Sequence, residues 1–208
     1  MAKRFLIFAL LFFVSGCATT VKKDYTKFMS ANPRSILIVP VVNETVDVDA
    51  PDYFLSTISV PVSEQGYYVF PVHMVKRVLE DDGLSDADLV HSASTEKLCE
   101  LFGSDAVLYI KIKRWDAQYA LIATTVTVGL EYIIKDGKTG VVLWQEDSVV
   151  RYTSQGAGSG NLLADVIIVA VNAAMTKAAP NYIPLAKQAN EQVFVYPGPG
   201  IPPGPYKK

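Results

Sequence analysis

Halfway along this chain the hydrophobic period changes, and that change decides what it can fold into. From Ala106 to Trp115 (AVLYIKIKRW) apolar side chains fall on every second position. Leu108, Ile110 and Ile112 then face one side of a strand, and Tyr109, Lys111, Lys113 and Trp115 the other. Residues 121–134 continue the pattern, with Val126, Val128, Leu130, Tyr132 and Ile134 on one face. Asp136-Gly137-Lys138-Thr139-Gly140 reads as a turn, and Val141–Tyr152 as the returning strand of a hairpin. An antiparallel sheet that buries one face needs helices to cover it.

The first half supplies those helices between short, fully apolar runs. Arg34–Val42 (RSILIVPVV) reads as a buried strand and Tyr67–Pro71 as a second. Asp52 is placed to cap a helix running to about Glu64, with Pro61 disturbing its later part. Val72, Val75, Val78 and Leu79 keep helical spacing up to Gly83, and Ser85 with Asp88 suggests a capping box. A further helix is expected from Ser94 to Gly103, followed later by an apolar one over Leu162–Lys177. The expected class is therefore α+β, an α/β sandwich in which a mixed sheet carries helices. Residues 33–190 form one domain in this reading. Beyond it, Pro197–Pro205 holds five prolines and three glycines in nine positions, so residues 191–208 read as an extended, solvated tail.

The amino terminus gives an address. Lys3 and Arg4 precede Phe5–Val14 (FLIFALLFFV), an apolar run of ten that is too short to span a bilayer. It ends in Val14-Ser15-Gly16-Cys17, which looks like a bacterial lipobox. Small Ser15 and Gly16 suit a signal peptidase, and the Cys17 thiol would take a diacylglycerol and become the acylated, palmitate-bearing end. Residues 1–16 are then a signal peptide and 17–32 a tether. Ala18 favours the outer membrane, because an aspartate there would favour inner-membrane retention. Cleavage removes Lys3 and Arg4 and leaves 17 basic against 21 acidic side chains. Such a balance argues against nucleic-acid binding. With Cys17 acylated, Cys99 is the remaining thiol, and Leu98, Leu101 and Phe102 around it suggest a buried, inert one.

Catalytic sets are scarce. His73 and His91 have no metal-binding companion motif, and two histidines with two cysteines leave little for a metal site. Asp81, Asp82, Asp86 and Asp88 do not follow a calcium-loop order and read as helix-end charges. Gly156–Gly160 lacks the spacing of a phosphate-binding loop or a nucleophile elbow. No cofactor, metal or enzymatic activity is expected. The aromatic and basic face of Tyr109, Lys111, Lys113 and Trp115 is the candidate partner surface. The acidic Asn43–Pro51 loop is a second.

Several runs resemble a known family: Asn32–Pro40 (NPRSILIVP), Val42–Thr45 (VNET), Phe54–Thr57 (FLST) and Glu64–Val72 (EQGYYVFPV), then Leu101–Ala106 and the Lys138-Thr139-Gly140 turn before Leu143-Trp144. The family is that of bacterial outer-membrane lipoproteins of unknown function typified by the genome-derived neisserial antigen lipoprotein. The resemblance covers roughly residues 30–190 and implies a fold like the amino-terminal domain of TolB. It also implies an envelope-assembly role beside a CsgG-type secretion lipoprotein, and it carries over no catalytic residue. Sequence and resemblance together point to a non-catalytic accessory module, lipid-anchored in the outer membrane and facing the periplasm. The alternative is a small-ligand or glycan-binding lipoprotein with its pocket between the sheet and the Asn43–Pro51 loop. A hydrolase using carboxylates near Glu64 and Asp81–Asp82 ranks last, because no motif pairs them. Oligomeric state is left open.

Overall fold

A computed structural model describes residues 23–119, 124–153, 182–194 and 198–208. The signal peptide with its lipobox, the Gly156–Gly160 loop and the helix expected over Leu162–Lys177 lie outside the described residues. In chain order the elements are α1 (Thr26–Ala31), β1 (Ser35–Ile38), β2 (Val42–Asn43), α2 (Ala50–Glu64), β3 (Tyr68–Val69), α3 (Val72–Asp81), α4 (Ala87–Ser92) and α5 (Thr95–Phe102). The long strands β4 (Ala106–Tyr119), β5 (Thr124–Asp136) and β6 (Val142–Thr153) follow, then α6 (Ile183–Phe194).

The six strands make one mixed sheet in the order β3-β1-β4-β5-β6, with β2 also on β4. Strands β1 and β2 run parallel to β4 along the same edge. Between them Pro40 has no N–H to offer the ladder. Pairing reaches the Val39 N–H, bonded to the Leu108 carbonyl at 3.3 Å, and resumes with Val42 opposite Lys111. Strands β4, β5 and β6 form the expected antiparallel meander. Its first turn residue, Asp136, accepts from the Thr139 N–H at 2.9 Å and from the Thr139 hydroxyl at 2.6 Å.

Two apolar layers lie on opposite faces of the sheet. On one, Ile36, Ile38, Leu108, Ile110 and Ile112 meet Phe54 and Ile58 of α2 and Leu185, Ala189 and Phe194 of α6. All five residues expected on one face of β5, Val126 to Ile134, are buried in this layer. On the other face Leu37, Val39, Val107 and Tyr109 meet Val75 and Leu79 of α3, Val90 of α4 and Leu98 and Cys99 of α5. Cys99 is buried as expected, accepting from the Ser104 hydroxyl at 3.2 Å. Each large apolar side chain so buried contributes about 1.5–3 kcal/mol.

Helix boundaries differ from expectation where local chemistry was misassigned. Helix α2 starts at Ala50 with Pro51 in its first turn, so Asp52 lies inside the helix rather than capping it. Pro61 sits within α2 without ending it. The cap of α4 is Asp86, whose carboxylate accepts from the Asp88 and Leu89 N–H groups, not Ser85. Ser94 caps α5 and Gly103 closes it, as its sequence suggests.

Two expectations at the chain ends are corrected. Part of the supposed tether folds: α1 places Phe28 in the first core layer at 2% exposure. The supposed solvated tail is helical through Phe194, and in its proline-rich part Ile201 is fully buried. Both segments found apolar partners that local composition does not reveal.

A buried polar chain ties the closing helix to the sheet. The Tyr132 hydroxyl donates to Asn190 Oδ1 at 2.7 Å, and Asn190 Nδ2 donates to Thr57 Oγ1 at 2.9 Å. Thr57 in turn donates to the Phe54 carbonyl at 2.7 Å. Asn190 and Tyr132 are both at 0% exposure, so every polar atom in this chain depends on its neighbour. Tyr132→Phe strands Asn190 Oδ1 and should cost about 1–3 kcal/mol in urea unfolding, with the slope unchanged. Asn190→Leu should cost a similar amount. The double variant should lose clearly less than the two single losses added, because both partners then go together.

Candidate functional site

The four residues expected to share one exposed face do not share it. Tyr109 is 4% exposed in the layer with α3–α5, and Trp115 is 3% exposed in the layer with α2 and α6. The cause is a β-bulge. Ile112 pairs with Leu130 and Arg114 with Gly129, leaving Lys113 without a partner residue. That extra residue turns every later side chain of β4 to the opposite face. Gly129 accommodates it: a Cβ there would stand 3.1 Å from the Arg114 Cβ. Trp115 therefore packs on Tyr182 with ring centroids 5.0 Å apart, and among the described residues its buried Nε1 has no hydrogen-bond partner.

Lys113 is exposed but engaged. Its ammonium lies 3.0 Å from Glu44 and 3.1 Å from Glu131, tying the connection after β2 to β5. These two partners hold its pKa above the ordinary value. The loop it steadies is prefolded: Asn43 Oδ1 accepts from the Thr45 N–H at 3.1 Å, and Asn43 Nδ2 donates to the Asp47 carbonyl at 2.7 Å. Val46 projects from that loop at 98% exposure.

Beyond Tyr109, where the cover of α4 and α5 stops, a cleft of about 170 Å³ opens between β4 and β5. His91, Tyr109, Lys111, Glu131, Ile133 and Lys135 line it. His91 lies in the last turn of α4, and its Nε2 donates to the Pro40 carbonyl at 2.9 Å, the backbone position where the parallel ladder is interrupted. Its ring stands edge-on to Tyr109 at 5.1 Å. Tyr109 is fixed by a 3.0 Å hydroxyl contact with Thr95, and the Lys135 ammonium sits 4.9 Å from the Tyr109 ring centre. Among the described residues neither Lys111 nor Lys135 has a carboxylate within ion-pair distance. Glu131 faces Lys111 across the ladder but turns to Lys113. The cleft is thus a shallow basic recess with an aromatic floor, suited to a carboxylate or another small anion.

A second cavity, about 190 Å³, lies between α2, α3 and the β1–β2 connection. Pro40, Val41, Val48, Leu55 and Leu84 line it, with Lys76 and Asp52 paired at 2.7 Å beside it. Its place beside the Asn43–Pro51 loop is the one expected for a ligand pocket, but no aromatic ring lines it for a sugar to stack on. The remaining candidates are dispersed. His73 is exposed on α3, and the described residues hold no group of three or more His, Cys, Asp or Glu side chains placed to bind a metal. No helix among the described residues is long and apolar enough to cross a membrane.

Residues 23–206 match the family described as "Putative lipoprotein GNA1162-like". The chain belongs to this family. Its members are lipoproteins of unknown function, and no catalytic activity comes with the membership. A relative from Neisseria meningitidis serogroup B, named "Putative lipoprotein NMB1124/NMB1162", is 37% identical over 149 residues, covering 72% of this chain and 69% of its own length. The crystal structure of lipoprotein GNA1162 from Neisseria meningitidis superimposes with a TM-score of 0.58 at 34% identity. That superposition covers 70% of this chain and all of the other. A PelC dodecamer from Paraburkholderia phytofirmans is more distant, with 14% identity and a TM-score of 0.48 over 78% of this chain and 87% of its own.

Sequence reasoning about this GNA1162-like chain overlooked His91, Glu131 and Lys135 as companions of Lys111. No local signal gave them away: the β4–β5 ladder, in which Ile133 lies opposite Tyr109 and Glu131 opposite Lys111, is not set by the Asp136–Gly140 turn, which joins β5 to β6.

Burial lowers the His91 pKa below its ordinary 6.5 and Lys111 and Lys135 push the same way, opposed by the Pro40 hydrogen bond and Asp88. The folded state thus favours the neutral ring. Its contribution to stability is present above pH 6.5 and is lost as pH falls through the depressed folded value. His91→Gln should therefore show less loss of stability than the natural chain between pH 7 and pH 5. Paired urea titrations across that range check this; parallel pH dependences would sink it.

Proposed function

We propose that the chain is acylated on Cys17 and held in the outer membrane facing the periplasm. Its folded domain is a non-catalytic module that docks an acidic segment of another envelope protein. The observation that carries the docking reading is the pair of ammonium groups, Lys111 and Lys135, without a carboxylate partner among the described residues, in a recess floored by Tyr109 and His91. A carboxylate seated there replaces water on two cations at once and finds a ring edge beside it. The lipobox Val14-Ser15-Gly16-Cys17 and the family's lipoprotein character support the anchor. Ala18 supports the outer membrane over the inner. The family resemblance puts a CsgG-type secretion lipoprotein first among the partners to test.

The cavity beside α2 and α3, lined by Val41, Leu55 and Leu84 together with Asp52, Lys76 and Glu80, supports a second reading, a small-ligand-binding lipoprotein. Its size and mixed lining fit a short amphipathic molecule, and no aromatic ring is present to stack a sugar. A dose-dependent rise in thermal midpoint with short-chain fatty acids, abolished by Leu55→Trp, would favour it over docking.

Cys17→Ala should abolish incorporation of labelled palmitate and remove the protein from the outer-membrane fraction of a sucrose gradient. In-cell crosslinking of the acylated chain should capture a discrete envelope protein. Lys111→Glu combined with Lys135→Glu should cut that capture at least tenfold while leaving the unfolding midpoint within a few degrees. Lys113 is the wrong control, since reversing it faces Glu44 and Glu131 with a third carboxylate. Unchanged capture by a folded double variant would rule out the recess as the docking site.

A further inference from the structure

The groove beside α1 is filled by the chain's own carboxy-terminal segment, and its donors are those that read an extended proline-rich strand. Such a strand has few N–H groups to give, so it is recognised through its carbonyls by aromatic side chains with a polar tip. Trp144 Nε1 donates to the Pro199 carbonyl at 2.8 Å. The Tyr25 hydroxyl lies 2.7 Å from the Gly200 carbonyl and 3.1 Å from that of Gly198. Tyr67 donates to the Pro202 carbonyl at 2.6 Å, and burial pushes its pKa far up, so it stays a donor at any ordinary pH. Ile201 inserts between these contacts at 0% exposure. Further along, the Gly204 and Tyr206 N–H groups bond the Gln65 and Gly66 carbonyls at 2.7 and 3.0 Å. The approach is so close that a Cβ on Gly66 would stand 2.2 Å from the Lys207 nitrogen, and the φ of +89° there suits only glycine.

We propose that residues 198–206 are a clasp that locks the tether junction to the domain and so sets the reach of the anchor. The donors join separate parts of the molecule: Tyr25 immediately precedes α1, Tyr67 precedes β3, and Trp144 lies on β6. Phe28 of α1 packs edge-on against Tyr67, with ring centroids 6.1 Å apart. Lys23 pairs with Glu146, bonds the Gln145 and Pro199 carbonyls and sits 4.7 Å over the Trp144 ring. Lys23 and Tyr25 are thus pinned to the sheet edge with the tail as their other jaw. The consequence for reach rests on acylation of Cys17. With the clasp shut, the six residues from Cys17 to Lys23 span at most about 20 Å. With it open and α1 released as far as Pro33, sixteen residues span at most about 55 Å.

Hydrogen exchange on the full acylated chain in nanodiscs tests the clasp. Ile201→Asp should accelerate exchange in peptides covering 198–208 and 23–32 together, at least tenfold, while peptides of β4 and β5 keep their rates. Fast exchange of 198–208 with 23–32 unchanged would overturn the proposal. Should Ile201→Asp also loosen β4 and β5, Tyr67→Phe decides by the same comparison, because it removes a single bond to the Pro202 carbonyl. Palmitate labelling of the same samples separates a failed anchor from a failed clasp, since the coupled exchange does not require the lipid.

Discussion

Strand β4 carries two incompatible demands, and the bulge at Lys113 reconciles them. Its first half is central to a sheet covered on both faces, so Val107 and Tyr109 must be as buried as Leu108 and Ile110. Its second half has β5 on one side and keeps its core contacts on one face. A strand of uniform pleat would have put Trp115 on the face where the helical cover has already ended. One extra residue turns the indole inward instead, onto Val128 and Tyr182. The same residue frees Lys113 to reach Glu44 and Glu131, which ties the β2 connection to the hairpin. The recess above Lys111 exists because helical cover stops at His91 while the sheet continues.

The first core layer is closed by parts of the chain remote from it in sequence. Helix α6 lies over β5 and β6, and Asn190 joins it to both Tyr132 of β5 and Thr57 of α2. A buried amide is costly unless each end is bonded, and here it fixes the register of α6 against two elements at once. Ile201 fills the remaining side. Until the carboxy terminus arrives, Tyr67 and Trp144 keep donors that nothing else among the described residues satisfies.

Much of this was legible in the sequence, for reasons that differ by element. The strands β4, β5 and β6 declared themselves by period, and Ser94 and Gly103 marked α5 with local chemistry. What escaped was decided at long range. Phe28 lies beside exposed Met29 in a largely polar stretch and Ile201 among prolines and glycines, and only their partners show that they are core. The bulge escaped because Lys-Arg at 113–114 fits an alternating exposed face as well as it fits an insertion. The family likeness was readable from runs such as Glu64–Val72. The recess was not, because it requires the pairing of Lys111 with Glu131 and the docking of α4 on Pro40.

These constraints separate two tasks. Tyr25, Tyr67, Trp144 and Ile201 all bear on the layer beneath α2 and α6, whereas His91, Tyr109 and Lys111 belong to the opposite face of the sheet. A chain anchored through the first side would offer the recess on the other, so acyl chain and partner would not compete for one surface. In the proposed acylated chain, 17 basic against 21 acidic side chains would work in the same sense: an anionic bilayer surface would repel the domain as a whole, while Lys111 and Lys135 would keep a local basic recess for the proposed acidic partner. A short, pinned tether would then serve orientation more than distance, because a domain free to tumble would as often turn its recess toward lipid as away from it.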